Sequence, residues 1–306
     1  NSDGEEASSG VRAYVIDSSI MAGGDLRQTA VGNQRIGAFV LAGSGAIAAG
    51  GAAGVAASGS GVDAENRIGV EVQAFIDGDG PLGIRAQRVV LISDDTSTIS
   101  ATALAISLAA GFGGTAGVSL SVGVTLASNT ITSRIESFIR NADTGITTTV
   151  GDIVLDADEK ATIDVVAAAA SVALAGGLVG VALSGAGAQA TNIILSSTSA
   201  FVDSSKLLSI DDVIITADNK STIDAVIATA SVAAAGGAVG VGASIGVALA
   251  RNYIGMVEDA ATTYDYTTAD QPGTIDKGRR VKILGGVRGG DVYEYISTEP
   301  LLESDF

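Results

Sequence analysis

The sequence predicts an all-β fold: a repetitive β-solenoid, or a stack of long β-hairpins, in four repeats of about 63 residues. Three observations predict it. Larger and very small residues alternate with period two, a glycine pair recurs at nearly constant spacing, and polar turns rich in Asp and Asn fall at matching places.

The alternation is clearest in "GGAVGVGASIGVALARN", residues 236–252. Val239, Val241, Ala243, Ile245, Val247 and Leu249 share one parity, and Gly240, Gly242, Ser244, Gly246, Ala248 and Ala250 the other. Strand side chains point to alternate faces, so one face is aliphatic and the other nearly bare. Wound as a helix, the same Val, Ile and Leu scatter around the circumference. Each internal glycine then costs about 0.5–1 kcal/mol against alanine. The uncharged run from Ala225 to Ala250 is long enough for a membrane helix of about 20 residues, but its alternation favours a strand.

Glycine pairs stand at Gly50-Gly51, Gly113-Gly114, Gly176-Gly177 and Gly236-Gly237, with spacings of 63, 63 and 60. An asparagine follows each pair, at Asn66, Asn129, Asn192 and Asn252, and an isoleucine precedes each, at Ile36, Ile99, Ile163 and Ile223. A small-aromatic-aliphatic triplet recurs around Tyr14, Phe75, Phe138 and Phe201. Self-similarity at one period marks stacked repeat architectures. The four-repeat stack fills 1–256, in repeats of about 1–66, 67–129, 130–192 and 193–256, the first being the most diverged.

Within a repeat the elements follow in order. A short strand carries the aromatic ("SAFVD"), and a second short strand follows ("GDIVLDA", "DDVIITA"). A polar turn comes next ("SDDTST", "ADEKAT", "ADNKST"), then a long strand ("TIDAVIATASVAAA"). The glycine pair between two alternating runs is a hairpin signal, and a long return strand ends at the asparagine. One hairpin cannot bury both faces, whereas a stack can. Residues 257–306 read as a connector containing Pro272 and a short C-terminal β-hairpin, "RRVKIL" and "DVYEYI" around "GGVRGG".

Composition narrows the chemistry. The chain has no Cys and no His, which removes thiol catalysis, zinc or haem ligation through those residues, Ser-His-Asp triads and disulfides. A net charge of −17 disfavours nucleic acid as a partner. "GAVGVG" (Gly237 to Gly242) and "GLVGVA" (Gly177 to Ala182) look like phosphate loops, but no helix with Lys-Ser/Thr follows them. Asp164 and Asp224 occupy equivalent strand starts and read as edge charges rather than an acid/base pair. The chain is therefore expected not to be an enzyme and to need no cofactor. Calcium is the one metal that the acidic turns admit, at Asp77 to Pro81, Ser93 to Ser97 and Asn141 to Gly145. Asp, Asn and Gly are also the ordinary residues of turns, and none of these matches an EF-hand or a nonapeptide calcium repeat. The opening "NSDGEEASSG" is no signal peptide and reads as an internal start or a processed end.

"G-x-R-V-x-I" followed by "G-G-D-V-Y-E-Y-I", and "A-D-x-K-S-T-I" leading into "A-G-G-x-V-G-V", resemble modules of very large, repetitive bacterial surface and secreted proteins. These are the leukotoxin-type filamentous adhesins and haemagglutinin-like β-helical exoproteins. The resemblance covers the last three repeats and the tail. It implies an extended β protein, extracellular or at the cell surface, and carries over no catalytic or ligand residues.

The expected function is structural: a fibre segment or filament subunit that assembles head-to-tail through its sheet ends. The partner is itself, as a homopolymer or as neighbouring repeats of a longer chain. An adhesin binding a cell-surface ligand is the alternative. A transmembrane β-barrel is a second alternative, but the aromatic girdles it needs are missing, so no membrane span is expected. Lys277, Arg279, Arg280, Lys282 and Arg288 form the dense basic cluster of this acidic chain. They are the candidate contact for an acidic surface carrying Glu5, Glu6, Asp17 and Asp25 on the next copy.

Overall fold

A computed structural model describes residues 9–255, 265–270, 272, 274–284, 292–297, 299 and 301–302. Among these, 77% lie in strands and none in a helix. No helix among them is long and apolar enough to cross a membrane. The chain divides into two compact units, Asn1–Val257 and Glu258–Phe306.

The first unit winds through the same four directions again and again. The first turn is β1 (Ser9–Ile16), β2 (Ile20–Met21), β3 (Leu26–Gly32) and β4 (Arg35–Gly50). The second is β5 (Ala53–Asp77), β6 (Ile84–Ala86), β7 (Val89–Asp95) and β8 (Thr98–Gly113). The third is β9 (Ala116–Arg140), β10 (Ile146–Thr148), β11 (Ile153–Glu159) and β12 (Thr162–Gly176). Then come β13 (Val179–Asp203), β14 (Leu207–Leu208), β15 (Val213–Asn219), β16 (Thr222–Gly236) and finally β17 (Val239–Ile254). Each strand pairs in parallel with the strand four places further on, giving four open, solenoid-like sheets.

This pairing corrects the hairpin reading. β16 and β17 flank Gly236-Gly237 yet belong to different sheets, and their hydrogen bonds go to β12 and β13. The two legs of each glycine turn face one another as an arch. Their nearly bare parity points inward and their aliphatic parity outward. An arch satisfies the backbone between successive turns of the chain, so like residues stack on like. The sheets are also parallel and open, whereas a transmembrane barrel is antiparallel and closed.

Two other details depart from the sequence reading. The return strand does not end at the asparagine: β13 runs for 25 residues through Asn192 and the Phe201 triplet without a break. No Gly or Pro interrupts Asn192 to Phe201, so nothing stops the extended backbone. The glycine pairs are also not all level. Gly50 pairs with Gly113 and Gly176 with Gly236, but Gly176 pairs with Phe112. The extra residue is absorbed at the arch tip, because Val179 again pairs with Ala116.

The interior changes character along the arch. At the base, large aliphatics fill it, among them Ile76, Ile84, Leu91, Ile135, Ile139 and Ile153, all fully buried. Towards the tip the filling is alanine, as at Ala103, Ala105, Ala169 and Ala186. There the legs come so close that a Cβ on Gly117 would collide with the Gly176 carbonyl oxygen and lie 2.6 Å from that of Gly111. The corner after the long strand is also repeated. Asp17, Gly78, Asn141 and Ser204 hold left-handed backbone there, with φ of 42°, 80°, 55° and 47°. Asp and Asn tolerate that region better than most residues, and glycine does so freely.

The second unit contains β18 (Tyr266–Thr267), β19 (Thr274–Ile275), β20 (Arg280–Lys282), β21 (Val292–Glu294) and β22 (Leu301–Leu302). β20 and β21 pair antiparallel, with Val281 opposite Tyr293, while β18 lies parallel to β20. β19 and β22 form a separate antiparallel pair.

Candidate functional site

Parallel, in-register stacking turns each recurring residue of the sequence into a ladder. The four asparagines form one. Asn66 Nδ2 donates to Asn129 Oδ1, Asn129 Nδ2 to Asn192 Oδ1, and Asn192 Nδ2 to Asn252 Oδ1, each at 2.8 Å. Asn129 and Asn192 are fully buried. All three bonds point the same way, so the ladder has a polarity: Asn66 presents its Oδ1 at one end and Asn252 its Nδ2 at the other.

The aromatic triplets form a second ladder. Tyr14, Phe75, Phe138 and Phe201 stack with centroids 5.3, 4.8 and 5.0 Å apart and rings within 11° of parallel. Arg140 lies over the Phe138 ring, 5.1 Å from its centroid. A third set joins the arch legs by hydroxyls: Ser44 to Ser58 at 2.8 Å, Ser121 to Ser107 at 2.9 Å and Ser171 to Ser184 at 2.6 Å. Inside an alanine-lined slot, these are the polar groups that fix one leg's height against the other.

The acidic turns divide by side. Asp94, Asp158 and Asp218 stack on one parity, where Lys220 pairs with Asp218. On the other parity Asp95 and Glu159 are neighbours in the ladder and both are buried. Ser97 Oγ donates to Asp95 at 2.9 Å. Glu159 accepts from the Ser133 hydroxyl, from Thr198 Oγ1 at 2.9 Å and from Asn219 Nδ2 at 3.2 Å. Burial raises the pKa of both carboxyls above the usual range, and the hydroxyl bonds offset only part of that. Asp95 falls in the turn read as a calcium candidate at Ser93 to Ser97, and Glu159 in a turn read only as polar; their place at the end of a strand made both look like solvated turn residues.

The first of the turns read as calcium candidates uses its carboxylates within the protein, whereas Asp94 Oδ1 in the second is buried without a hydrogen-bond partner. Asp77 accepts from Arg140 and Asn141, both at 2.7 Å, and Arg140 holds its carboxyl below the usual range. Asp79 accepts from the backbone amides of Thr144 and Gly145 in the next turn of the chain. A separate trio, Asp152, Asp211 and Asp212, brings carboxylate oxygens within 4.8 Å of one another. Asp164 and Asp224 are paired neighbours on β12 and β16.

In the second unit, Arg279 is bound to Asp265 at 2.7 Å, and Arg280 and Lys282 lie on β20. Lys277 sits in the turn before it, and Arg288 falls outside the described residues, as do Glu5 and Glu6. Asp17 and Asp25 are exposed on the first turn of the solenoid, which also carries Arg12, Arg27 and Arg35. What the first unit does present, among the described residues, is open sheet edges: β1 to β4 with the upper half of β5 at one end, and β14 to β17 with the lower half of β13 at the other. No family model matches the chain, and no curated protein or solved structure is detectably similar to it.

Proposed function

We propose that this chain is a structural segment of an extracellular or cell-surface fibre, built of four repeats, and that copies or neighbouring segments join end to end through the open sheet edges. The observation that carries this reading is the polarity of the asparagine ladder. It begins with a free-facing acceptor on Asn66 and finishes with a donor on Asn252. A second segment stacked in register would continue the ladder with the same 2.8 Å geometry and bring Phe201 beneath the next Tyr14. The edge strands supply the backbone pairing that such growth needs. No catalytic residue is required for this role.

Asn252→Asp tests it. The aspartate still accepts from Asn192 but has no donor for the next copy, and it sets a charge against the acceptor of Asn66. Negative-stain microscopy is expected to find filaments of the parent, and light scattering to find growth of the variant slowed about tenfold or more, the loss of one charge-opposed buried hydrogen bond. A parent that stays monomeric at high concentration, or a variant that polymerises at the parent rate, overturns the reading.

A further inference from the structure

Over long stretches that include their tips, the arches carry no charge. No Asp, Glu, Lys or Arg occurs in 36–62, 99–133, 165–202 or 225–250. The bare parity fills the inside, so the aliphatic parity is left on the outer faces: Ile245 is 68% exposed, and Val122 and Val124 are 39% and 40% exposed. Outer apolar surface on this scale marks a contact face.

On the sheet β5-β9-β13-β17 this face has relief. One row across it reads Gly59, Val122, Gly185, Ile245, and the next reads Gly61, Val124, Gly187, Val247. In these two rows β9 and β17 are ridges and β5 and β13 are troughs, whereas one row nearer the tip the ridges are Leu120 and Leu183, and the Val55 row is level. A Cβ on Gly61 or Gly187 would meet nothing within 4 Å. We propose that this face pairs with the same face of a second copy, about a two-fold axis that runs parallel to the strands between β9 and β13. That operation keeps each row level and reverses its order. Val122 then meets the trough at the second copy's Gly185, and Ile245 meets its Gly59. Such contacts are isologous, each made twice.

Two further features fit this partner. Towards the base, Glu65, which pairs with Arg67 on its own strand, lies level with Arg251 across β5-β9-β13-β17, so reversal sets opposite charges facing each other at both rims, with Asp63 meeting Leu249 in the next row. The opposite sheet has no such pair: there reversal sets Asp224 against Gly37. The rows from Val55 to Glu65 over four strands cover about 33 by 19 Å, or roughly 1,200 Å² for both copies, the lower end for specific interfaces. A bilayer is the poorer occupant. It would leave the unpaired edges of β4, β5, β16 and β17 in hydrocarbon, where each unsatisfied group is costly.

This pairing is lateral and does not depend on end-to-end growth, so it is tested in the Asn252→Asp background. Sedimentation velocity over a concentration series is expected to show a reversible monomer–dimer equilibrium. Gly185→Val adds apolar surface but places a second ridge opposite Val122, so the dimer weakens about tenfold. Val122→Gly combined with Gly185→Val exchanges ridge and trough and restores it. Unchanged thermal melts by circular dichroism show that each variant is folded. If Gly185→Val strengthens association, the contact is unspecific stickiness and the proposal fails. It also fails if the protein is monomeric throughout, or if it instead floats with phosphatidylcholine vesicles, and Gly185→Val floats more.

Discussion

Glu159 shows what one residue can do to a solenoid. Its carboxylate is buried beside Asp95, with no cation among its bonded partners, and burial raises its pKa. The folded protein therefore holds a proton that the unfolded chain has released. Its contribution to stability is complete below the ordinary carboxylate range. That contribution falls as pH rises through the ordinary value of 4.5 towards the raised one. Glu159→Gln keeps an acceptor for Thr198 and Asn219 and offers its amide to Ser133. Urea titrations are expected to show the variant more stable than the parent at pH 7, with the gap closing as pH falls below 4.5. A gap that persists at pH 3 contradicts this account. The residue ladders were legible in the sequence because like side chains recurred at a nearly constant spacing. Asp95 and Glu159 were not, because an acid next to a polar turn looks the same whether its strand parity points out or in.

The element that sets the architecture is the arch. Its legs are held apart by hydrogen atoms and methyl groups, and small side chains let two sheets approach more closely than the usual separation of about 10 Å. Glycines on the two parities therefore have opposite importance. Gly117→Ala drives a methyl group into the Gly176 carbonyl and is expected to cost about 3 kcal/mol. Gly61→Ala points into open space and is expected to stabilise the monomer by about 0.5 kcal/mol through the unfolded chain. Equal effects in denaturant titrations would mean that the inner face is not close-packed. The period-two pattern of these legs was readable at once. Their partners were not, since "GG" between alternating runs is the same local signal for a hairpin and for an arch. The distinction lies in what stands one whole repeat away, and the stacking of Asn on Asn favours the parallel solution.

At the scale of the molecule, each turn of the chain touches only its neighbours, so stability is a sum of turns and the contacts between them. Deleting 67–129 removes one turn of the chain and leaves Asn66 to take the place of Asn129 beside Asn192. The shortened chain is expected to fold cooperatively with a urea m-value lower by about a quarter, in step with the surface lost. Deleting one residue fewer leaves the extra residue inside a continuous strand, where it turns the side chains on one side of it to the wrong face, and that chain is expected to be strongly destabilised. If circular dichroism finds both deletions equally folded, the ladders do not set the register. Composition carried no information on this point; the spacing of the glycine pairs did.

The same interchangeability has a hereditary side. Because β5, β9 and β13 lie level residue for residue over their full lengths, a misaligned exchange between two stretches of the gene joins one turn to another without a seam. Copies can be gained or lost in whole turns while each protein still folds. Such a gain or loss needs no new interior, because each added turn repeats the packing of the last.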